Sequence, residues 1–281
     1  VNVDIFEYLR NEDLFNDWYY LEDESAIPDS ITKPYVFTVK DLIIKNGSVN
    51  LKNIRKSIVR TMPTNVLDYK NLDLFDIELQ FKNLNYSQNQ GSGQLASMSV
   101  KEKSGFRIDD LYIDDLLVTD RNMVLKDYKM ETPYSTFGSN LSLKYREYDD
   151  FWEFEDKIYI NSTFQNTNIG VKDIIYLVGV LESNEFMQLN NEENLSITGN
   201  INGKINSLKG SKLQVKLSDK ITFNGGFSTK NLSVKNEEFL NLNIDQVAVS
   251  MVSLRQLIPN FALPPNFDKL GNLNFSGNFT G

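Results

Sequence analysis

The sequence predicts an all-β protein with minor α content, built on an antiparallel sheet. Between residues 191 and 230, apolar residues occupy every second position and polar residues fill the positions between them. Such alternation places one strand face in apolar surroundings and the other in water. Short turns rich in Gly, Lys, Ser and Asp separate the runs, as in an antiparallel meander. Similar runs recur from residue 35 onward, about a dozen in all.

Four segments differ in their pattern. Residues 1–33 place apolar residues at steps of three to five among acidic ones, which predicts a short helical lead segment. Residues 34–170 hold the first part of the sheet, and residues 171–190 fit a short helical insertion with a wide apolar face. Residues 191–281 resume the sheet, with one more short helix near residues 253–258. Because alternation continues to the last residue, we expect a fragment of a longer protein.

Local signals predict individual turns. Asn46-Gly47 is the strongest hairpin signal in the chain. The apolar phase changes twice between Phe106 and Val118, and again near Gln246, as a β-bulge would cause. Residues 149–154 are interpreted as a loop with two exposed aromatic side chains.

Composition excludes several functions. The net charge of −9 argues against a nucleic-acid partner, which requires a basic surface. The chain has no histidine and no cysteine, so the usual general base and thiolate nucleophile are missing. Paired acids such as Asp109-Asp110 have no metal-ligand spacing, and neighbours in a strand point to opposite faces. We therefore predict no enzyme, no catalytic residue, no metal site and no cofactor.

Several passages resemble the TamB family, the translocation and assembly module proteins, as found in Bacteroidota. Their order matches the family over residues 95–281. The passages are VKEKSGFRIDDL at residues 100–111, LKDYKMETPYSTFG at 125–138, FQNTNIGVKDI at 164–174, LSITGNINGKINSL at 195–208, and LGNLNFSGNFTG at 270–281.

The resemblance implies an elongated, twisted antiparallel sheet curled into an open groove (a β-taco) with two or three short helices. It implies kinship with AsmA-like and bridge-type lipid transfer proteins, and a role in outer-membrane biogenesis. It also implies a periplasmic location, an inner-membrane anchor outside this fragment, and an Omp85-type outer-membrane partner bound through other regions. On this interpretation the groove that receives phospholipid acyl chains is lined by Leu195, Ile197, Ile201, Ile205, Leu213, Val215, Leu217, Ile221, Phe223, Phe227, Leu141, Leu143, Ile158, Ile160 and Phe164.

The apolar face of a sheet must be covered, and a groove is one way to cover it. A second layer can cover it, or hydrocarbon from a guest can do so. Each acyl CH₂ group that leaves water gains about 0.8 kcal/mol without directional preference, so a lipid can slide along such a face.

Two alternatives remain open from the sequence. One is a structural or adhesive all-β surface protein with a closed core. The other is a family member that mainly assists the insertion of outer-membrane proteins.

Overall fold

A computed structural model describes residues 36–52, 66–69, 71–87, 90–231, 237, 239–257 and 264–281. These residues form one 13-stranded sheet in which every strand pair is antiparallel. The all-β fold class with minor α content is therefore confirmed. The helical lead segment expected at residues 1–33 lies outside the described residues.

The sheet is a meander. Strands that follow one another in sequence lie side by side, except that the short β4 pairs with β3 beside the main path. The strands are β1 Val36–Lys52, β2 Asn71–Ser87, β3 Gln90–Glu102, β4 Arg107–Ile108, β5 Asp110–Val118, β6 Asn122–Glu131, β7 Thr136–Lys144, β8 Tyr159–Gly170, β9 Asn194–Lys204, β10 Ser207–Leu217, β11 Ile221–Lys230, β12 Phe239–Ser250 and β13 Asn272–Thr280.

Within the described residues, short helices interrupt the meander at three places. The α-helices are α1 Phe154–Lys157, α2 Val171–Leu177, α3 Glu185–Leu189 and α4 Met251–Leu257. Three 3-10 helices, Tyr148–Glu153, Gly179–Ser183 and Pro265–Leu270, adjoin them. The segment from α2 to α3 occupies the place of the expected helical insertion, and α4 begins near the helix expected at residues 253–258.

A line of bulges crosses the sheet at mid-length, and we call it the crease. Every strand pair from β6–β7 to β12–β13 changes register there. Bulges bend strands and increase their twist, so these strands bend together. The shifts fall between Leu125 and Tyr128 on β6, Thr136 and Ser139 on β7, Phe164 and Thr167 on β8, Ser211 and Gln214 on β10, Asn224 and Gly225 on β11, and Ile244 and Val247 on β12.

The hairpin expected at Asn46-Gly47 is wrong. Both residues lie inside the continuous strand β1, where the register shifts on either side of Gly47. Asn46 has a positive φ of 53°, the conformation that an Asn-Gly turn also uses. The left-handed preference of Asn thus serves a bulge here.

The structure also tests three other local expectations. The interpretation of residues 149–154 as a loop with exposed aromatics is wrong, because a 3-10 helix and α1 form there and Phe151 and Trp152 are half-buried. The bulge expected at Gln246 is confirmed: Asp245 and Gln246 together lie opposite one residue of β13, and Asp245 is the extra residue opposite β11. The phase change after Phe106 corresponds to the break between β4 and β5 and to a register shift between Ile113 and Leu116.

Candidate functional site

The candidate site is the face of the sheet that carries the apolar positions, called the inner face. The strand registers align these positions into rows that cross the sheet. One row joins Ile169, Leu195, Leu217, Ile221 and Val249 on five successive strands. Because paired residues of antiparallel strands point to the same side, this row is a continuous apolar band.

All the residues expected to line a groove belong to this face, apart from Ile158, which directly precedes β8, and Ile205, which lies in the β9–β10 turn. None of them is exposed. Four are buried, namely Leu143, Ile158, Leu213 and Leu217, and the remainder are half-buried.

A packed core covers the inner face along one rim, which we call the helical rim. Here Val171 and Ile175 of α2 pack with Leu217, Val247 and Val249. Further residues of α2 pack on a second cluster that begins in β3. That cluster consists of Leu95, Ile113, Tyr128, Phe137 and Ile169, with Ile174 and Leu177 of α2 against it. The helix therefore joins the two halves of the sheet.

A buried carboxylate fastens α2 to the β6–β7 turn. Asp173 is 1% exposed and accepts short hydrogen bonds from the hydroxyls of Thr132 and Ser135. The Ser135 hydroxyl oxygen also accepts the backbone N–H of Gly170, at 3.0 Å. Because a buried carboxylate is costly without such donors, this network fixes the helix against the turn.

The opposite rim, called the aromatic rim, is closed by the segment between β7 and β8. Leu143, Tyr145 and Ile158 form its core, with Phe151 and Phe154 packed beside them. The Tyr145 hydroxyl donates to the carbonyl of Thr119 at 2.6 Å, and burial raises the pKa of Tyr145 to about 12. Leu143 and Ile158 are thus packed core residues of this rim.

Asp150 explains why this segment is helical. Its side chain is fully buried, and its carboxylate accepts the backbone N–H of Arg146 at 2.8 Å. The Arg146 guanidinium and the Lys157 ammonium each lie 3.5 Å from the other carboxylate oxygen. The N–H of Arg146 is the main cause that lowers the pKa of Asp150, so the carboxylate stays charged and holds the turn closed.

A narrow band of apolar side chains runs along the middle of the inner face, with one residue from each strand from β8 to β13. We call this band the central strip. Most of its members are half-buried and lie outside the packed clusters. Two members differ from the rest, because Leu213 is only 3% exposed and Phe279 on β13 is 54% exposed. The central strip consists of Phe164, Ile201, Leu213, Phe227, Leu242 and Phe279.

The central strip is long and uncharged. Five strand spacings of about 4.8 Å give it a length of roughly 24 Å. Across the described parts of β8 to β13, the inner-face positions hold no charged side chain. A surface of this kind can bind hydrocarbon but has no group to bind an ion.

Polar side chains mark the end of the central strip at β8. Ser162 is 4% exposed and interacts with the hydroxyl of Tyr128, whose pKa is raised by burial. Thr167, also buried, donates to the carbonyl of Gly138 at 3.4 Å. The apolar band thus meets buried hydroxyls before it reaches the first half of the sheet.

Glycines on alternate strands shape the crease. In the row that crosses the sheet at the crease, β9 and β11 carry Gly199 and Gly225, whereas the neighbouring strands β8, β10 and β12 carry large side chains. A Cβ atom at Gly199 would lie 2.9 Å from Leu213 Cδ2, and one at Gly225 would lie 2.1 Å from the carbonyl oxygen of Asn243. The glycines therefore leave the space that their neighbours fill.

The outer face is polar. One row there joins Asn161, Asn202, Lys209, Ser228 and Asn241. The described residues contain no group of three or more acidic side chains arranged to hold a metal ion. Within the same ranges, no helix has both the length and the apolar character needed to cross a membrane.

Comparison of the chain with protein-family models, curated proteins and solved structures gives no significant match. What the chain does is therefore inferred from the geometry of the inner face.

Sequence reasoning missed several features that shape this face. It did not assign Asp173 or Asp150 a structural role, because the partners of each carboxylate are found only in the folded chain. It also did not anticipate that the bulges align into one crease. Isolated Gly residues inside alternating runs, such as Gly199 and Gly225, are the sequence signal that indicates bulges at these positions.

Proposed function

We propose that the inner face binds the acyl chains of phospholipids along the central strip. In this proposal the chain is a segment of a TamB-like periplasmic bridge that carries lipid between the inner and outer membranes. Other regions of such a bridge would hold the membrane anchor and contact an Omp85-type partner. The role is one of binding and transfer, without catalysis.

The observation that carries the proposal is the uncharged central strip, most of whose members are half-buried, beside the closed helical rim. A bilayer core of about 30 Å allots roughly 15 Å to the chains of each leaflet. The strip, at roughly 24 Å, is long enough for one such chain. The helical rim would bound this path on one side, the aromatic rim would bound its other side at β8, and the polar outer face would stay in water.

The expected affinity is modest. A strip that covers one side of a chain removes about half of each CH₂ group from water, which is worth about 0.4 kcal/mol. A chain of about 16 carbons would gain roughly 6 kcal/mol before the cost of ordering it. Weak, non-directional attraction of this size allows a chain to move from strand to strand.

The low exposure of residues in and beside the central strip favours one alternative, a structural protein with a closed core. Leu213 is 3% exposed and Ser162 is 4% exposed, as in an ordinary protein interior. If the strip were sealed throughout, the chain would bind no hydrocarbon.

Two neighbouring aspartate substitutions on β9 separate these possibilities. Ile201 lies in the central strip, while Asn202 lies on the outer face and pairs with Lys209. Ile201→Asp places a charge where the acyl chain would lie, and Asn202→Asp places the same charge one residue away in water. The readout is native mass spectrometry of each protein after incubation with phospholipid vesicles.

We expect bound phospholipid in the unaltered protein and in Asn202→Asp, and at least a tenfold loss in Ile201→Asp. Circular dichroism of each variant checks that the sheet is intact. Absence of phospholipid from the unaltered protein would favour the closed-core alternative.

A further inference from the structure

A cavity of about 330 Å³ lies on the outer face of the sheet, where β8 ends at the helical rim. Its floor contains Asn168 and Gly170, which belong to the outer face because Ile169 between them belongs to the inner face. One wall is the β6–β7 turn, residues 132–136, and the other is the turn before β9, residues 191–194. The cavity is therefore on the opposite side of the sheet from the central strip.

Gly170 allows the β6–β7 turn to fold over the outer face. A Cβ atom at this position would lie 2.5 Å from the Cβ atom of Tyr134 and 2.7 Å from its carbonyl oxygen, so a larger residue would push the turn away. The N–H of Gly170 donates to the Ser135 hydroxyl, which itself donates to the buried carboxylate of Asp173. These contacts hold the wall in place without a ligand, so the cavity is preformed.

Hydrogen-bonding groups without protein partners line the cavity. Among the described residues, the side-chain amides of Asn191 and Asn194 and the hydroxyl of Thr136 make no hydrogen bond. The amide of Asn168 only accepts a long bond, of 3.5 Å, from the Ser196 hydroxyl. Each amide offers two N–H donors and one carbonyl acceptor. The cavity can therefore bind a ligand that donates and accepts hydrogen bonds at several positions.

The two carboxylates of the cavity are already paired with lysines. Glu192 lies 2.6 Å from the ammonium of Lys172, and Glu193 lies 2.8 Å from that of Lys220. A cationic ligand would have to displace a lysine, and an anionic ligand would be repelled by two carboxylates. The carboxylate oxygens can still accept hydrogen bonds from hydroxyl groups, and such charge-assisted bonds are strong. The cavity therefore favours a neutral ligand that is rich in hydroxyl groups.

An aromatic ring forms part of the wall beside these polar groups. Tyr134 is 41% exposed, and the Lys172 ammonium lies 4.9 Å from the centre of its ring. The exposed part of the ring is an apolar surface in an otherwise polar cavity. A sugar ring matches this combination, because it has C–H groups on its faces and hydroxyl groups around its edge.

We propose that this cavity binds one pyranose ring, whose hydroxyl groups bond to Asn168, Asn191 and Asn194 and whose C–H groups contact Tyr134. The volume is at the lower end of the range of about 300 to 1,000 Å³ for small-molecule sites, as a single ring requires. A ligand of about a dozen heavy atoms should bind with a Kd on the order of 1 mM. The inference does not depend on the binding of lipid to the central strip.

Nuclear magnetic resonance tests the site with defined probes. The methyl α-glycosides of glucose, galactose and mannose are titrated separately into the whole chain labelled with ¹⁵N, and the side-chain NH₂ signals of asparagine are followed. Single Asn→Ala variants assign these signals. We expect saturable shifts with at least one glycoside, and the shifted signals should be those of Asn168, Asn191 and Asn194.

Two tryptophan substitutions on β8 locate the binding. Asn168 and Asn161 are both exposed on the outer face, but Asn161 lies outside the cavity. Asn168→Trp fills the cavity and should weaken binding by about tenfold or more. Asn161→Trp should bind as the unaltered protein does. Circular dichroism checks that the sheet is intact in each variant.

A smaller substitution tests the hydrogen bonds themselves. Asn194→Ala removes one amide from the wall and leaves the cavity open, so a loss of about fivefold is expected, which corresponds to one net hydrogen bond. Asn202→Ala, on the outer face away from the cavity, should leave the affinity unchanged.

Three outcomes would overturn the proposal. The first is the absence of saturable shifts with all three glycosides, and the second is equal affinity in Asn168→Trp and Asn161→Trp. The third concerns putrescine, a divalent organic cation: saturable shifts of the same asparagine signals with putrescine, and none with the glycosides, would make the cavity a cation site. Phospholipid binding is tested separately by Ile201→Asp on the other face, so the two proposals fail independently.

Discussion

In the first half of the sheet, β3 to β8, the middle of the inner face is a closed core, and α2 packs on it through Ile174 and Leu177. In the second half, β9 to β13, the corresponding positions from Ile201 to Phe279 belong to the central strip, and apart from the buried Leu213 they are half-buried or exposed. Both halves alternate apolar and polar residues with the same period. The difference shows that alternation decides which face is apolar, whereas a crossing helix decides whether that face is a core.

The largest expected effect comes from truncating one isoleucine in each half. Ile113 is 3% exposed within the cluster of Leu95 and Tyr128, so Ile113→Ala should lower the free energy of unfolding by about 4 kcal/mol. Ile201 is half-buried in the central strip, and Ile201→Ala should lower it by about 1 kcal/mol. Urea denaturation of both variants measures the two values. Equal losses would mean that both halves are closed cores.

Gly225 on β11 and Gly277 on β13, which pair with Ile244 from opposite sides, give the next effect. Gly225→Ala should lower the free energy of unfolding by about 3 kcal/mol, because the new Cβ would meet the Asn243 carbonyl and the backbone has a φ of +154°. Gly277→Ala has the same strained backbone but open space around it, so about 1 kcal/mol is expected. Thermal unfolding measures both. If the two losses were alike, β13 would be as enclosed as β11.

The smallest effect concerns how the stability contributed by Glu102, in the first half of the sheet, depends on pH. Burial acts to raise the pKa of Glu102, but the hydroxyl of Ser104, with the N–H groups of Ser104 at 2.6 Å and Asp73 at 3.2 Å, outweighs it and leaves the pKa below its ordinary value. A lowered pKa stabilises the fold above the unfolded value of 4.5, and this contribution is lost as the pH falls through the folded pKa. Glu102→Gln should therefore cost about 1.5 kcal/mol at neutral pH.

The difference between Glu102→Gln and the unaltered protein should shrink as the pH falls below 4.5, and urea denaturation at several pH values measures it. The matched control is Glu131→Gln, whose exposed carboxylate pairs with Lys129. Its effect should stay below about 0.5 kcal/mol at neutral pH. A difference for Glu102→Gln that did not vary with pH would show that its carboxylate is not the stabilising group.

The sequence by itself determined the all-β class, the helical interruption near α2, and the inner face from Leu141 to Phe227. Strand periodicity is a local property, so it can be read without the fold. The same locality explains the error at Asn46-Gly47, since a left-handed Asn suits a bulge as well as a turn. The helix at Tyr148–Glu153 was missed because its stability depends on Asp150, whose partners include the side chain of Lys157.

Only the tertiary structure decided which apolar residues are core and which form the central strip. Leu143 and Leu217 have the same alternation as Ile201 and Phe227, yet the first two are buried under the rims. The alignment of bulges into one crease was also decided there, because each shift is defined by pairing between two strands. Burial and register are relations between distant parts of the chain, and a local pattern does not contain them.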